Sequence, residues 1–314
     1  MNINKDLIKS FALATERAAF GASLYVGKKD KIAADQAAVD EMRKQLNSIK
    51  MKGKIVIGEG EMDEAPMLYI NEKVGTNIGE EFDIAVDPLE GTNFAANNLP
   101  NALSVLAVTR KGNLLNAPDI YMEKIAIGPS LPKNLVDLDF GVKKNIKLLC
   151  EAKNTSPEKI TVCILKRPRH DGIINELKSM KGNINYISDG DVSGVISVAN
   201  PNSKIDMYMG TGGGPEGVLA AAALSCLDCQ IQTRLFYQND EEKERAKKLG
   251  ILDLKKKYNI NEMVNGDVIF SATGVTNGDI VKGINTEDKY FFSETYLLHK
   301  SSKTNTNFKN KIMK

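Results

Sequence analysis

Cysteine and histidine are scarce: four and two, respectively, in 314 residues. Four cysteines in a chain of this length make no disulfide framework, which points to a reducing compartment, the cytoplasm. Cys226 and Cys229 have CxxC spacing, but Cys150 and Cys163 supply no second pair, so a zinc or dithiol redox centre is not expected. His170 and His299 are too few for a histidine-held metal. A long apolar run is also missing, and the first residues, Met1-Asn2-Ile3-Asn4-Lys5-Asp6, contain no apolar signal core. Neither a membrane span nor a cleaved leader is therefore expected. The formal net charge is only +2, without the basic field of a nucleic-acid binder.

What remains is ordinary for a globular protein: 42% hydrophobic and 26% charged residues. Short β-branched runs alternate with helical patterns throughout, and no internal repeat is visible. The class is therefore α/β in layers. A helix is expected from about Asp6 to Tyr25, and a second beginning at Asp35, where the aspartate suits an N-cap, and running to about Leu46. The mixed, proline-containing stretch from 129 to 159 suggests two lobes, 1–155 and 156–314. Residues 239–262 read as an exposed, charged helical excursion. The Lys/Asn/Thr-rich tail from Lys300 has little to bury and is expected to fray.

The chemistry lies where strands end. Ile84-Ala85-Val86 reads as the end of a buried strand, closed by Asp87-Pro88-Leu89-Glu90-Gly91-Thr92. Pro88 removes a backbone donor, and Gly91 can take positive φ. Asp87, Glu90 and the Thr92 hydroxyl can then face one small volume, where two carboxylates repel unless a cation lies between them. A hard divalent ion with oxygen ligands suits such a place. Ile55-Val56-Ile57 delivers a second set of acids, Gly58-Glu59-Gly60-Glu61-Met62-Asp63-Glu64. Acids at two strand ends suggest a site at the carboxyl edge of a sheet.

The later part of the chain adds groups suited to anions. Strand Ile160–Leu165 leads into Lys166-Arg167-Pro168-Arg169-His170-Asp171, where cations can meet a phosphate. Ile184–Ser188 leads into Asp189-Gly190-Asp191. Strand Ile205–Met209 precedes Gly210-Thr211-Gly212-Gly213-Gly214-Pro215-Glu216-Gly217, which can cradle an anion at the start of helix Val218–Leu227. That loop lacks the Gly-Lys-Ser/Thr ending of a Walker motif. Carboxylates for metal and cations for phosphate, with no Ser–His or Cys–His pair, indicate metal-assisted attack of water on a phosphate ester.

Taken in order, the Gly58–Pro66, Asp87–Thr92, Ala117-Pro118-Asp119-Ile120-Tyr121-Met122-Glu123-Lys124, Arg167–Asp171, Asp189–Asp191 and Gly213–Gly217 segments resemble the class II fructose-1,6-bisphosphatases. The likeness runs from about residue 5 to 300. The Asp-Pro-Leu-Glu-Gly-Thr segment is similar to the wider lithium-sensitive phosphatase superfamily, in which Asp commonly replaces Glu90. The resemblance implies a layered α-β-α-β-α sugar-phosphatase fold with a metal site between two lobes. It also implies hydrolysis of the C1 phosphate of fructose 1,6-bisphosphate for gluconeogenesis.

By the same resemblance, Asp35 and Glu59 would hold one metal, Mn²⁺ or Mg²⁺, and Asp87, Glu90 and Glu216 a second. Thr92 would orient or deprotonate the attacking water, with Asp35 and Glu59 nearby in the catalytic group. Glu90, Gly91, Thr92, Tyr121, Arg167, Pro168, Arg169, Asp189, Gly190, Asp191 and Gly213 would bind the sugar and its phosphates. Arg167 stands where family members commonly carry Lys, which keeps the charge and changes its geometry. The resemblance also implies a homo-oligomer, a dimer or tetramer. Two other activities fit the shared acids: an inositol- or nucleotide-phosphate phosphatase, and a bifunctional fructose/sedoheptulose bisphosphatase. A phosphate-binding module on an inactive phosphatase is the non-enzyme alternative, disfavoured because every metal acid is present.

Overall fold

The computed structural model describes residues 2–58 and 68–314. The chain begins with helices α1 (Leu7–Ser23) and α2 (Lys31–Ser48). It continues through β1 (Lys52–Ile57), β2 (Lys73–Val74), β3 (Glu81–Glu90), α3 (Thr92–Ala96) and β4 (Leu103–Arg110). A second run comprises β5 (Tyr121–Ile127), α4 (Gly141–Lys153), β6 (Thr161–Leu165), α5 (Asp171–Ser179), β7 (Asn183–Ile187), α6 (Asp191–Ile196), β8 (Met207–Gly213), α7 (Gly214–Ser225) and β9 (Gln230–Phe236). It closes with α8 (Asp240–Lys248), β10 (Lys257–Asn259) and α9 (Ile260–Met263). The last strands are β11 (Val268–Gly274), β12 (Asn285–Glu287), β13 (Tyr290–His299) and β14 (Thr304–Met313).

Two compact units result: one made of residues 1–116 and 264–314, the other of 117–263. The single boundary expected near residue 155 is not where the chain divides. β11 pairs with β4 over seven residues, from Val268↔Thr109 to Gly274↔Leu103, so the C-terminal strands complete the first sheet. Such pairing between distant stretches leaves no composition signal at the point where the chain returns.

In the discontinuous unit, the described strands form a mixed sheet in the order β12-β13-β11-β4-β3-β1-β2, with β14 on the outer side of β13. β1 and β3 run parallel. Helices α1 and α2 pack on each other and against this sheet. Phe11, Ala18, Met42, Leu46, Ile55, Phe82, Ile84 and Leu106 fill the space between.

In the other unit the order is β10-β9-β5-β8-β6-β7, with β6 parallel to both β7 and β8. Ile125, Ile127, Val162, Met207 and Met209 face one apolar core with Val142, Ile146, Leu149 of α4 and Leu177 of α5. Helices α6 and α7 contact β8 and each other. The layered α/β class expected from the sequence is thus present.

Four local expectations change. α2 begins at Lys31, and Asp30 caps it by accepting from Ala33 N at 3.0 Å. Asp35 therefore lies within the helix and is not its N-cap. β3 does not stop at Asp87 but runs to Glu90, because a register shift absorbs Pro88. Residues 207–213 are strand β8 rather than a free glycine loop. The tail does not fray: β14 pairs with β13 through ten consecutive positions, from His299↔Thr304 to Tyr290↔Met313. Backbone hydrogen bonds and the apolar face of β13 order a segment whose own side chains are mostly exposed. Within 239–262 the charged helix is present as α8, followed by β10 and α9.

Candidate active site

In the discontinuous unit the candidate acids of the Asp-Pro-Leu-Glu-Gly-Thr segment lie at the end of β3. Asp87 pairs with Val105 and Glu90 with Leu103, so three steps on β3 match two on β4. The extra residue makes a bulge, the kind of place where a proline in a sheet costs no ladder bond. Leu89 N donates to the Asp87 carboxylate at 3.1 Å and tightens the bend. Gly91 follows at φ +78°, and a Cβ there would lie 2.8 Å from the Phe94 ring. Only glycine meets both conditions, as expected. Thr92 then opens α3.

The corner thus brings Asp87, Glu90, Gly91 and Thr92 together; Glu90 is buried, and Asp87 and Thr92 are half-buried. α2, which carries the half-buried Asp35, packs against α3. Glu59 and the rest of the acid-rich segment up to Met67 lie outside the described residues.

In the other unit, the residues assigned to substrate gather around the ends of β5, β6 and β8. Tyr121 pairs with Gly213 across the β5–β8 ladder. After β6, Arg167 precedes a short 3₁₀ turn over Pro168–His170. Arg167 donates to Lys166 O at 3.1 Å. The Arg169 guanidinium lies 4.5 Å from the Tyr121 ring centroid. Its Nε and Nη2 both donate to Thr211 O, at 2.9 and 2.8 Å. The residue is exposed.

His170, which the sequence offered only as part of a basic turn, is buried. Its Nε2 accepts from Thr211 N at 2.8 Å, so Nδ1 carries the proton and donates to Leu165 O at 2.6 Å. Burial, opposed by these backbone bonds, lowers its pKa and keeps the ring neutral. The ring thus joins the ends of β6 and β8. Its signal was its place beside Arg169 in Arg-Pro-Arg-His-Asp.

Gly190, at φ +75°, starts α6 after the half-buried Asp189. Asp191 is buried. Lys124 and the Tyr208 hydroxyl donate to its two carboxylate oxygens. Glu216 lies in the first turn of α7. Loss of water around its carboxyl raises the pKa; Lys124 opposes this, and Asp191 and Asp119 add to it. The expected anion cradle is partly engaged already: Thr211 N donates to His170, and Gly214 N to Ile120 O at 2.7 Å. Among the described residues, no three His, Cys, Asp or Glu side chains form a ready metal cluster.

A corner rich in carboxylates, and cations braced on a strand end, are the equipment of an α/β enzyme acting on a phosphorylated small molecule. The comparisons make the class specific. The family model described as "Bacterial fructose-1,6-bisphosphatase, glpX-encoded" matches residues 5–311. Fructose-1,6-bisphosphatase 1 class 2 of Escherichia coli (strain K12) is 42% identical over 316 aligned residues, covering 96% of this chain and 94% of that protein. The class 2 enzyme of Haemophilus influenzae is 40% identical over 315, covering 96% and 94%. Among solved structures, the extragenic suppressor protein suhB from Bartonella henselae is similar at 10% identity and a TM-score of 0.36, covering 62% of this chain and 74% of that one. The chain belongs to the bacterial, glpX-encoded fructose-1,6-bisphosphatase family.

Proposed function

We propose that this chain hydrolyses the C1 phosphate of fructose 1,6-bisphosphate, giving fructose 6-phosphate and inorganic phosphate in gluconeogenesis. The observation that carries the reading is the family match over residues 5–311, a span that contains every motif named above. In the reaction a water oxygen attacks phosphorus, the bond from phosphorus to the C1 oxygen breaks, and that oxygen takes a proton.

The donors assigned to metal are all carboxylates: Asp35 and Glu59 for one ion, Asp87, Glu90 and Glu216 for a second. An all-oxygen set fits a hard divalent cation such as Mn²⁺ or Mg²⁺. Such ions, when bound, neutralise the reacting phosphate and acidify water.

The protein's own groups do the rest. The Thr92 hydroxyl, at the turn fixed by Gly91, orients the attacking water and passes its proton toward Asp35 or Glu59. Arg169, with Arg167 and Tyr121, holds the phosphate that is not cleaved. Asp189, Asp191 and the backbone at Gly190 and Gly213 bind the sugar. The chain is further inferred to act as a cytoplasmic homo-oligomer; among the described residues no helix is long and apolar enough to cross a membrane.

The test is phosphate release from a panel of fructose, sedoheptulose, inositol and nucleotide phosphates, each with Mg²⁺, Mn²⁺ or excess chelator. Preferred release from fructose 1,6-bisphosphate, abolished by chelator, is expected. A preference for inositol or nucleotide phosphates overturns the substrate; activity that survives exhaustive EDTA treatment overturns the metal.

A further inference from the structure

Lys124 has no role in the reading above. It sits in the middle of β5 with a relative exposure of 0%. Ile125 and Ile127 of that strand face the core shared with α4 and α5, so Met122, Lys124 and Ala126 face the other way. Across the ladder they meet Gly212, Gly210 and Tyr208. An ammonium removed from water is tolerated only when it is paired and hydrogen-bonded. The partner is Asp191, in the first turn of α6. Lys124 Nζ donates to one Asp191 oxygen and the Tyr208 hydroxyl to the other. Two neighbouring strands thus grip a carboxylate that belongs to a helix.

The glycines beside this cluster make room for it. A Cβ on Gly212 would stand 2.0 Å from Asp191 Oδ2 and 3.2 Å from Lys124 Nζ. The carboxylate is held from both sides and cannot step away. A Cβ on Gly217 would stand 2.5 Å from Met122 Sδ and 3.1 Å from Lys124 Cε. These two glycines of the glycine-rich stretch are thus explained by what lies beneath them: a buried lysine and the acid it holds.

We propose that Lys124 is a positioning residue of the active site: its buried ammonium, together with the Tyr208 hydroxyl, fixes the Asp191 carboxylate in the orientation that receives the sugar. This rests on the assignment of Asp191 to sugar binding made above. Asp191 is a short side chain at a helix start, and each of its oxygens retains lone pairs for a sugar hydroxyl after accepting one bond. Lys124 does not reach the ligand itself, and acts on it through Asp191.

The experiment is a double-variant cycle read by calorimetric binding of fructose 6-phosphate without added metal, which separates sugar affinity from metal binding and from chemistry. Asp191→Asn and Lys124→Met should each weaken binding roughly 10- to 100-fold, the range for residues that orient a direct ligand. In the Asp191→Asn background, Lys124→Met should cost little more, because its effect passes through the same carboxylate. Lys124→Met alone leaves an unpaired buried carboxylate. Should it fail to fold, Tyr208→Phe, which removes the other bond to Asp191, takes its place, with a smaller loss expected in the same direction. In steady state the losses should appear in KM more than in kcat.

Wild-type affinity in the Lys124 variant overturns the inference, or in Tyr208→Phe where that variant stands in. So do full, additive losses in the cycle, which would show a route that bypasses Asp191. If Asp191→Asn itself binds fructose 6-phosphate like wild type, the assignment of Asp191 to the sugar falls too. If Asp191→Asn weakens binding while Lys124→Met does not, only the role of Lys124 falls.

Discussion

The Arg169 guanidinium lies over the Tyr121 ring at 4.5 Å while two of its N–H groups hold the Thr211 carbonyl. A side chain that is exposed yet held on its face and along one edge is pre-organised: little rotamer freedom remains to be lost when an anion arrives. Arg169→Ala should raise KM for the bisphosphate about 10- to 100-fold, the range for hydrogen bonds to a charged group. A monophosphate lacking the remote group should already be a poor substrate and lose little more. Arg169→Lys should not rescue, because an ammonium cannot hold Thr211 and the phosphate with one planar fork. Steady-state kinetics with both substrates checks this; equal losses on the two would place Arg169 at the reacting phosphate or in the fold.

Thr92 follows a glycine whose left-handed φ fixes the direction in which α3 starts. If its hydroxyl orients the attacking water, Thr92→Ala should lower kcat roughly 10²-fold or more with KM little changed. Thr92→Ser should keep much of the rate. Equal inactivity of Ser and Ala, or an Ala variant near wild type, would remove the hydroxyl from the reaction.

The sequence disclosed the strand-end acids because short β-branched runs stop at them, and it disclosed Gly91 because Asp-Pro-Leu-Glu-Gly-Thr needs a residue free to turn. It did not disclose the division of the chain, since β11 finds β4 across more than 150 residues. Nor did it disclose the helix start at Asp30: Asp30 and Asp35 are both competent caps, and Asp30 was hidden in a charged turn. Lys124 and His170 were visible as residue types, but burial by elements remote in sequence is what turns them into anchors. The basic and glycine-rich stretches looked like separate anion sites. Hydrogen bonds from Arg169 to the Thr211 carbonyl and from Thr211 N to His170 tie the two stretches together.

The tail offers a stability test. β14 covers the full length of β13, so deleting residues 304–314 removes a ten-residue ladder and bares an edge strand. The deletion should lower the midpoint of thermal unfolding and promote aggregation. Thermal scans and light scattering at matched concentration check it. Unchanged unfolding and solubility would mean that β14 adds nothing to the sheet.

Glu16 gives a prediction whose sign depends on pH. It is buried in α1, where Ser293 Oγ donates to Oε1 at 2.7 Å and Asn310 Nδ2 to Oε2 at 3.1 Å. Burial raises its pKa above the ordinary value of 4.5, and these hydrogen bonds recover only part of the cost. A carboxyl with a higher pKa folded than unfolded binds its proton more tightly in the folded state. Its ionisation therefore opposes folding, from the unfolded pKa upward, and fully above the folded one. Glu16→Gln has nearly the same shape and no charge. Its amide oxygen can accept from Asn310 while its NH₂ donates to Ser293 Oγ, which turns to receive it. The variant should unfold at a higher temperature than wild type at pH 7 to 8. The gain should shrink as pH falls through the raised folded pKa and vanish below 4.5, where wild type is protonated in both states. Paired unfolding curves between pH 4 and 8 measure this difference; a gain that stays constant with pH, or a loss at pH 8, would show that the ionised carboxylate is not the destabilising group.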